Sequence, residues 1–484
     1  MKKHLAAWIL ISASAVSFAV AAPAWSKAET RISAIELYDW VKVLTGKEFG
    51  GRLSGHPGYD KAARWAAAKF ESWGLRPIDE KQGYLQSFPS PLSVVESAAL
   101  EAEVWKSEGD KESVTAVLTA EAMKDFLPLV FSDSGETTSD LVFVGWGISA
   151  PELGYDDFAG VDVRGKFAMC FRGTPTRDPR FQYHDEHRTR MKVAKDKGAV
   201  GLVYIYPEVS IHPNGDFTPG FTPMMISEDF ADQLFKEQGI TSARIRRDLQ
   251  TYRRPISFPV QARLKYRVKT HFDPAAESYN IVGWIEGRDP RLRREVVILG
   301  GHFDGVGEHM GFFCPAANDN ASGSAVLMGV AKALADPSIR PKRSILVVLF
   351  GGEEKGMQGS DYFADNLPPQ FEKMAAMFNY DMVGAGDRAF ASVSVEPAGL
   401  KEALLKADES SALMAATRPM TPPGVRGGDV TAFFNKGVPC VYFMTNGPFP
   451  DYHRPGDSIY RVNPEIMADL ARLTLRAAYL FADR

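Results

Sequence analysis

The chain has 484 residues, 45% hydrophobic and 24% charged, with 56 Lys+Arg against 60 Asp+Glu and a formal charge of -4. This is an ordinary globular composition, long enough for roughly two to three domains. It excludes a disordered chain, a collagen-like fibre and a multi-span membrane protein, and no basic excess points to nucleic acid as a partner.

Residues 1–28 read as a signal peptide. Lys2, Lys3 and His4 precede an apolar run from Leu5 to Ala21, and Ala19-Val20-Ala21 and Ala22-Pro23-Ala24 are two small-residue cleavage boxes. No cysteine lies there to carry a lipid anchor, and no later apolar stretch reaches the ~20 residues a membrane span needs. The expected product is exported, to the periplasm or the medium, with no membrane attachment after cleavage.

The spacing then predicts a helix over 32–45, a turn-rich loop over 50–58 and an amphipathic helix over 60–74, with Ala63, Ala66, Ala67, Phe70 and Trp73 on one face. Strand-like segments fill 92–130. Residues 135–265 form a block with its own strands (140–148, around Cys170, 199–206), a helix over 188–197 and a Gly/Pro-rich loop over 212–222. The charged stretch 244–254 reads as a solvated helix face. From 278 onward, strands over 279–287, 296–301, 344–350, 374–381 and 438–445 alternate with helices over 321–335 and 464–481. Continuous apolar strands between helices predict an α/β fold: a mixed, mostly parallel sheet sandwiched by helices. Three cysteines make no disulfide framework. Cys170 and Cys440 lie in buried-strand runs; Cys314 lies in a loop, where pairing is open.

Polar residues gather at the ends of these strands, where open α/β sheets bind ligands. His302-Phe303-Asp304, Asn318-Asp319-Asn320, Gly352-Glu353-Glu354, Asn379-Tyr380-Asp381 and Tyr452-His453 each follow a strand or open a helix. Two imidazoles with several carboxylates suit zinc, or manganese or cobalt. One carboxylate can bridge two ions about 3.5–4 Å apart, lowering the pKa of water and polarising a carbonyl. Glu353 and Glu354 leave their strand in different directions, so one suits a metal and the other a proton transfer. Spacing leaves their order open.

This ordered set resembles the two-zinc aminopeptidase family of secreted bacterial leucyl-type aminopeptidases, with carboxypeptidase Q and glutamate carboxypeptidase as more distant relatives. Gly51-Arg52-Leu53-Ser54-Gly55 resembles the family's opening segment. Tyr155-Asp156-Asp157-Phe158 and Ala199-Val200-Gly201 resemble a protease-associated domain. The resemblance implies a discontinuous peptidase domain, 29–134 with 266–484, interrupted by a protease-associated insert over 135–265. It implies two zinc ions, His302 and Asp381 on one, Glu354 and His453 on the other, with Asp319 bridging. Glu353 would be the general base, Asp304 would orient His302 from behind, and Asp457 would do the same for His453. Tyr452 and Arg426 are the expected substrate contacts, and peptides the expected partners. The family's Ser-Asp-His is replaced by Gly428-Asp429-Val430, which alters the substrate wall and not the metal site. A zinc carboxypeptidase, dipeptidase or glutaminyl cyclase on this fold is the competing enzyme reading. A receptor-like binding protein is the reading from another class. Every ligand position is filled here, which favours catalysis.

Overall fold

The computed structural model describes residues 23, 25–109, 111–420 and 427–484. Its main sheet has eight strands in the order Leu85–Pro89, Glu277–Ile285, Ser344–Phe350, Glu295–His302, Lys373–Tyr380, Cys440–Thr445, Ala389–Ser394, Met414–Met420. The four central strands, Ser344–Phe350 to Cys440–Thr445 in that order, run parallel. Antiparallel neighbours flank them on both sides. The sheet is therefore mixed and mostly parallel at its centre, as the sequence predicts.

Both faces are covered, and the strand alternation shows how. Val297, Leu299, Ile345, Val347 and Leu349 face the helices Ala34–Leu44, Pro57–Trp73, Gly323–Leu334 and Pro464–Ala482, through Trp40, Phe70, Leu327 and Leu470. Val296, Ile298, Leu346, Val348 and Phe350 face the short helices Gln358–Asp365 and Val430–Asn435, through Phe363 and Phe433. Every side chain from Ile345 to Phe350 is fully buried. Each such burial stabilises by about 1.5–3 kcal/mol, which is why this run carries no polar residue. The caps agree with the sequence: Pro57 opens its helix and Gly74 closes it in the left-handed conformation.

A second eight-stranded sheet runs Lys111–Thr119, Leu92–Glu108, Ser257–Asp273, Gly135–Val144, Phe167–Phe171, Gly201–Tyr206, Met224–Ser227, Phe126–Pro128. It draws the second unit wider than the 135–265 expected, because strands from 92–128 hydrogen-bond into it and not into the main sheet. The two sheets are linked by one antiparallel ribbon. Pro89 pairs with Glu277 in the main sheet, and Leu92 with Asp273 in the second. Inside this unit the Tyr155–Phe158 turn is structural. Buried Asp157 accepts the amides of Trp146 and Ile148 at 3.0 and 3.1 Å and the Tyr155 hydroxyl at 2.8 Å.

Residues 1–22 and 24 of the expected leader lie outside the described residues. Residues 25–28, counted with it, belong to the fold instead. Trp25–Glu29 is a helix, Ala28 is fully buried, and the Trp25 ring lies 5.5 Å from that of Tyr479. Among the described residues no helix is long and apolar enough to cross a membrane. Cys170, Cys314 and Cys440 are free and buried.

Candidate metal centre

The sequence-predicted ligands converge at the carboxyl ends of the central parallel strands. His302 is the last residue of Glu295–His302, and Asp381 directly follows Lys373–Tyr380. Glu353 and Glu354 follow Ser344–Phe350 after Gly351-Gly352. His453 comes from the loop after Cys440–Thr445. Asp319 lies in the tight turn 317–322 before helix Gly323–Leu334, where the Asp319–Asn320 peptide is cis.

Two donor sets form, His302–Asp319–Asp381 and Asp319–Glu354–His453, each with its ligand atoms within 4.8 Å of one another. His302 Nε2 is 3.2 Å from Asp319 Oδ1 and 3.3 Å from Asp381 Oδ1. His453 Nε2 is 2.8 Å from Glu354 Oε2 and 3.4 Å from Asp319 Oδ2. Asp319 thus turns one oxygen to each imidazole.

The electrostatics ask for a cation. Burial pulls His453 down, yet Glu354 and Asp319 outweigh it and push it up to about 10. His302 is likewise raised by Asp304, Asp319 and Asp381 against burial. Burial, with Asp319, pushes Glu354 up to about 7. Burial, with Glu354, Asp381 and Asp429, raises Glu353 well above the carboxylate range. Burying an uncompensated carboxylate costs several kcal/mol, so this cluster of buried carboxylates favours a compensating positive charge. Glu354 Oε1 is buried without a hydrogen-bond partner, and the 2.8 Å approach of His453 Nε2 to Glu354 Oε2 lacks hydrogen-bond geometry. Unpaired lone pairs on a mixed imidazole and carboxylate set fit zinc.

The residues behind the donors explain their aim. His302 Nδ1 donates to the Asp304 carbonyl at 3.2 Å and lies 3.7 Å from Asp304 Oδ1. The Asp304 carboxylate accepts the amides of Glu353 and Glu354, both at 3.2 Å. It thereby fixes the turn that carries both glutamates. Asp457 departs from expectation. Its oxygens accept the amides of Asn318 and Asp319 at 2.8 and 3.0 Å, while His453 Nδ1 is buried without a partner. The turn 317–322 needs acceptors for its amides, and Asp457 supplies them, so it supports the Asp319 turn and not the imidazole. Tyr452 stacks on His453, ring centroids 3.8 Å apart and 19° from parallel. Arg426 lies outside the described residues. Asp429 is buried, and burial pushes its carboxyl up to about 7.

Several residues escaped the sequence reading. Tyr442 donates its hydroxyl to Asp381 Oδ2 at 2.9 Å, but its strand reads simply as core. Asn320 accepts the amides of Gly323 and Met382 and donates to the carbonyls of His302 and Tyr380, tying three segments together. Arg52 is fully buried and donates to the carbonyls of Leu44, Phe303, Pro315 and Ala316 at 2.7–3.0 Å. Lys355 donates to Ser54, Ser90 and Pro91 at 2.6–3.2 Å. The signal for Arg52 was a charge inside the otherwise small and apolar run Gly50-Gly51-Arg52-Leu53-Ser54-Gly55, whereas Lys355 follows two glutamates and gives no such signal. A cavity of about 240 Å³ opens beside Lys355, at the seam between Leu53 and Gln358 of the main body and Val130, Phe131 and Phe217 of the second unit.

Residues 280–478 match Peptidase family M28. The aminopeptidase YwaD of Bacillus subtilis is 24% identical over 344 residues, covering 69% of this chain and 67% of that protein. An aminopeptidase of Pseudomonas aeruginosa is 26% identical over 345 residues, and the match spans 54% of its length. The solved structure of BSAP, a zinc aminopeptidase from Bacillus subtilis, shares the fold with a TM-score of 0.63 and 21% identity over 93% of this chain and 94% of that one. The match to Peptidase family M28 over residues 280–478 takes in every donor of both sets.

Proposed function

We propose that the chain is a zinc-dependent exopeptidase that removes N-terminal residues from peptides. The observation that carries this reading is the pair of donor sets sharing Asp319. His302 and Asp381 would hold one ion and Glu354 and His453 the other, with Asp319 offering one carboxylate oxygen to each set. Bound there, the ions supply Lewis-acid polarisation of the peptide carbonyl and acidify the attacking water. Glu353 takes the proton from that water at its carboxylate and gives it to the leaving amine. Asp304 holds the Glu353–Glu354 turn against His302, and Tyr442 steadies Asp381. The names of the relatives, aminopeptidases, support the N-terminal direction. The second-sheet unit is read as a protease-associated domain that borders the cleft and restricts the peptides admitted. Residues up to the small-residue boxes are read as an export leader.

The test is hydrolysis of short peptides by the purified protein, with N-acetylated and C-amidated versions, with and without chelator and added zinc. Chelator-sensitive cleavage that N-acetylation abolishes and C-amidation spares is the expected result. Loss on C-amidation instead would reverse the direction and make this a carboxypeptidase.

A further inference from the structure

We infer that the second-sheet unit supports the metal centre directly: the strap Glu208–His212 positions His453, with His212 and Arg454 as the positioning residues. This rests on the two-metal reading above and adds to it that the two imidazoles are aimed by different parts of the molecule. The contrast between the two imidazoles motivates it. A metal-ligating histidine ordinarily donates its other ring nitrogen to a carboxylate or carbonyl, which fixes the ring. His302 does so, to Asp304. His453 does not, and its Nδ1 is buried and unpartnered. His453 also sits at φ +56, a left-handed backbone for a residue with a side chain. Such a conformation is strained and persists where its surroundings impose it.

Those surroundings come from the second unit. The Ile211 amide donates to the His453 carbonyl at 3.1 Å. Arg454 donates from Nε and Nη2 to the Val209 carbonyl at 3.1 and 2.8 Å, and its Nη1 pairs with Glu208 at 2.7 Å. The His212 ring meets the His453 ring nearly edge-on, centroids 5.5 Å apart at 66°. Opposite in character, Tyr452 stacks flat on the same imidazole. His212 is itself fixed to the second sheet, stacked on Tyr206 at 5.6 Å with Nε2 3.2 Å from Ser210 Oγ. Val209 and Ile211 are buried, so the strap is seated and not draped. His453 is therefore aimed by ring packing and backbone bonds from another unit, whereas His302 is aimed by its own strand end.

The test is a zinc titration of the whole purified protein, stripped by chelator and read against a chromophoric competitor. Wild type should take up two equivalents, and His453→Ala marks the step that belongs to the second site. His212→Ala and Arg454→Ala should keep both equivalents but weaken that same step about tenfold, leaving the other unchanged. His212→Phe, which keeps a ring, should restore it. Thermal melts check folding; should Arg454→Ala fail to fold, the His212 pair carries the test alone. Unchanged steps in His212→Ala, or equal weakening of both, overturn the inference. A wild type that binds fewer than two ions overturns the two-metal reading itself, which is a separate outcome.

Discussion

The carboxylate of Asp457 lies under the backbone of Asp319 and accepts its amide at 3.0 Å. Asp319 serves both donor sets, so this contact supports both at once. Asp457→Ala is expected to lower the affinity for both ions by about 10–100-fold, seen as a shift of both steps in a zinc titration. Weakening confined to the His453 step would return Asp457 to the role first expected of it.

The two glutamates should separate cleanly. Glu353→Gln keeps the shape and the amide held by Asp304, so metal uptake should persist while kcat falls about 10²–10⁴-fold. Glu354→Gln should lose an ion. Metal analysis beside kinetics checks both, and metal loss in the Glu353 variant would exchange their roles.

Arg52 tests the framework. Burial lowers its pKa, to about 10, yet it stays charged at neutral pH. Of its four main-chain carbonyl partners, Phe303, Pro315 and Ala316 flank His302 and Asp319, and Leu44 ends the helix Ala34–Leu44. Each buried acceptor left unsatisfied costs about 1–3 kcal/mol. Arg52→Ala should therefore destabilise by more than about 3 kcal/mol in urea unfolding. Arg52→Lys, with fewer donors and no fork, should recover only part of that loss.

His309 joins the two units. Its Nδ1 accepts the Val95 amide at 3.2 Å and its Nε2 donates to the Val306 carbonyl at 2.9 Å, which requires the neutral ring. Burial lowers its pKa from an ordinary 6.5 to about 4. The unfolded chain then binds the proton first, so stability is full above pH 6.5 and is lost as pH falls toward 4. The loss amounts to about 3 kcal/mol. Unfolding midpoints from pH 7.5 to 4.5 should fall less steeply in His309→Gln than in wild type. Parallel slopes would remove His309 as the cause.

The strands and their polar ends were legible because burial on both faces forces continuous apolar runs, and a His, Asp or Glu closing such a run stands out. Ser344–Phe350 and the Glu353–Glu354 pair are examples. The strand Ser257–Asp273 was not, because it alternates buried and exposed residues and faces water on one side. Missing it, and its pairing with Leu92–Glu108, put the start of the second unit at 135. Asp304 and Asp457 illustrate a second limit. A carboxylate near a histidine in sequence suggests an orienting contact, but main-chain amides compete for the same oxygens, and only the folded turn decides the winner. Tyr442 and Asn320 act through one or two hydrogen bonds that leave no periodicity to read.

The antiparallel ribbon through Pro89–Glu277 and Leu92–Asp273 makes the second unit a graft on a single stem. Its two attachment points are neighbouring residues one strand spacing apart, about 5 Å. An excision between 91 and 274 could thus be closed by a hairpin turn of about two residues, whereas cuts at 134 and 266 would sever Ser257–Asp273 midway and strand the edge of Leu92–Glu108. The same stem permits the whole appendage to be exchanged between relatives without rewiring the main sheet. In this chain, the exchanged piece would have to bring its own support for His453.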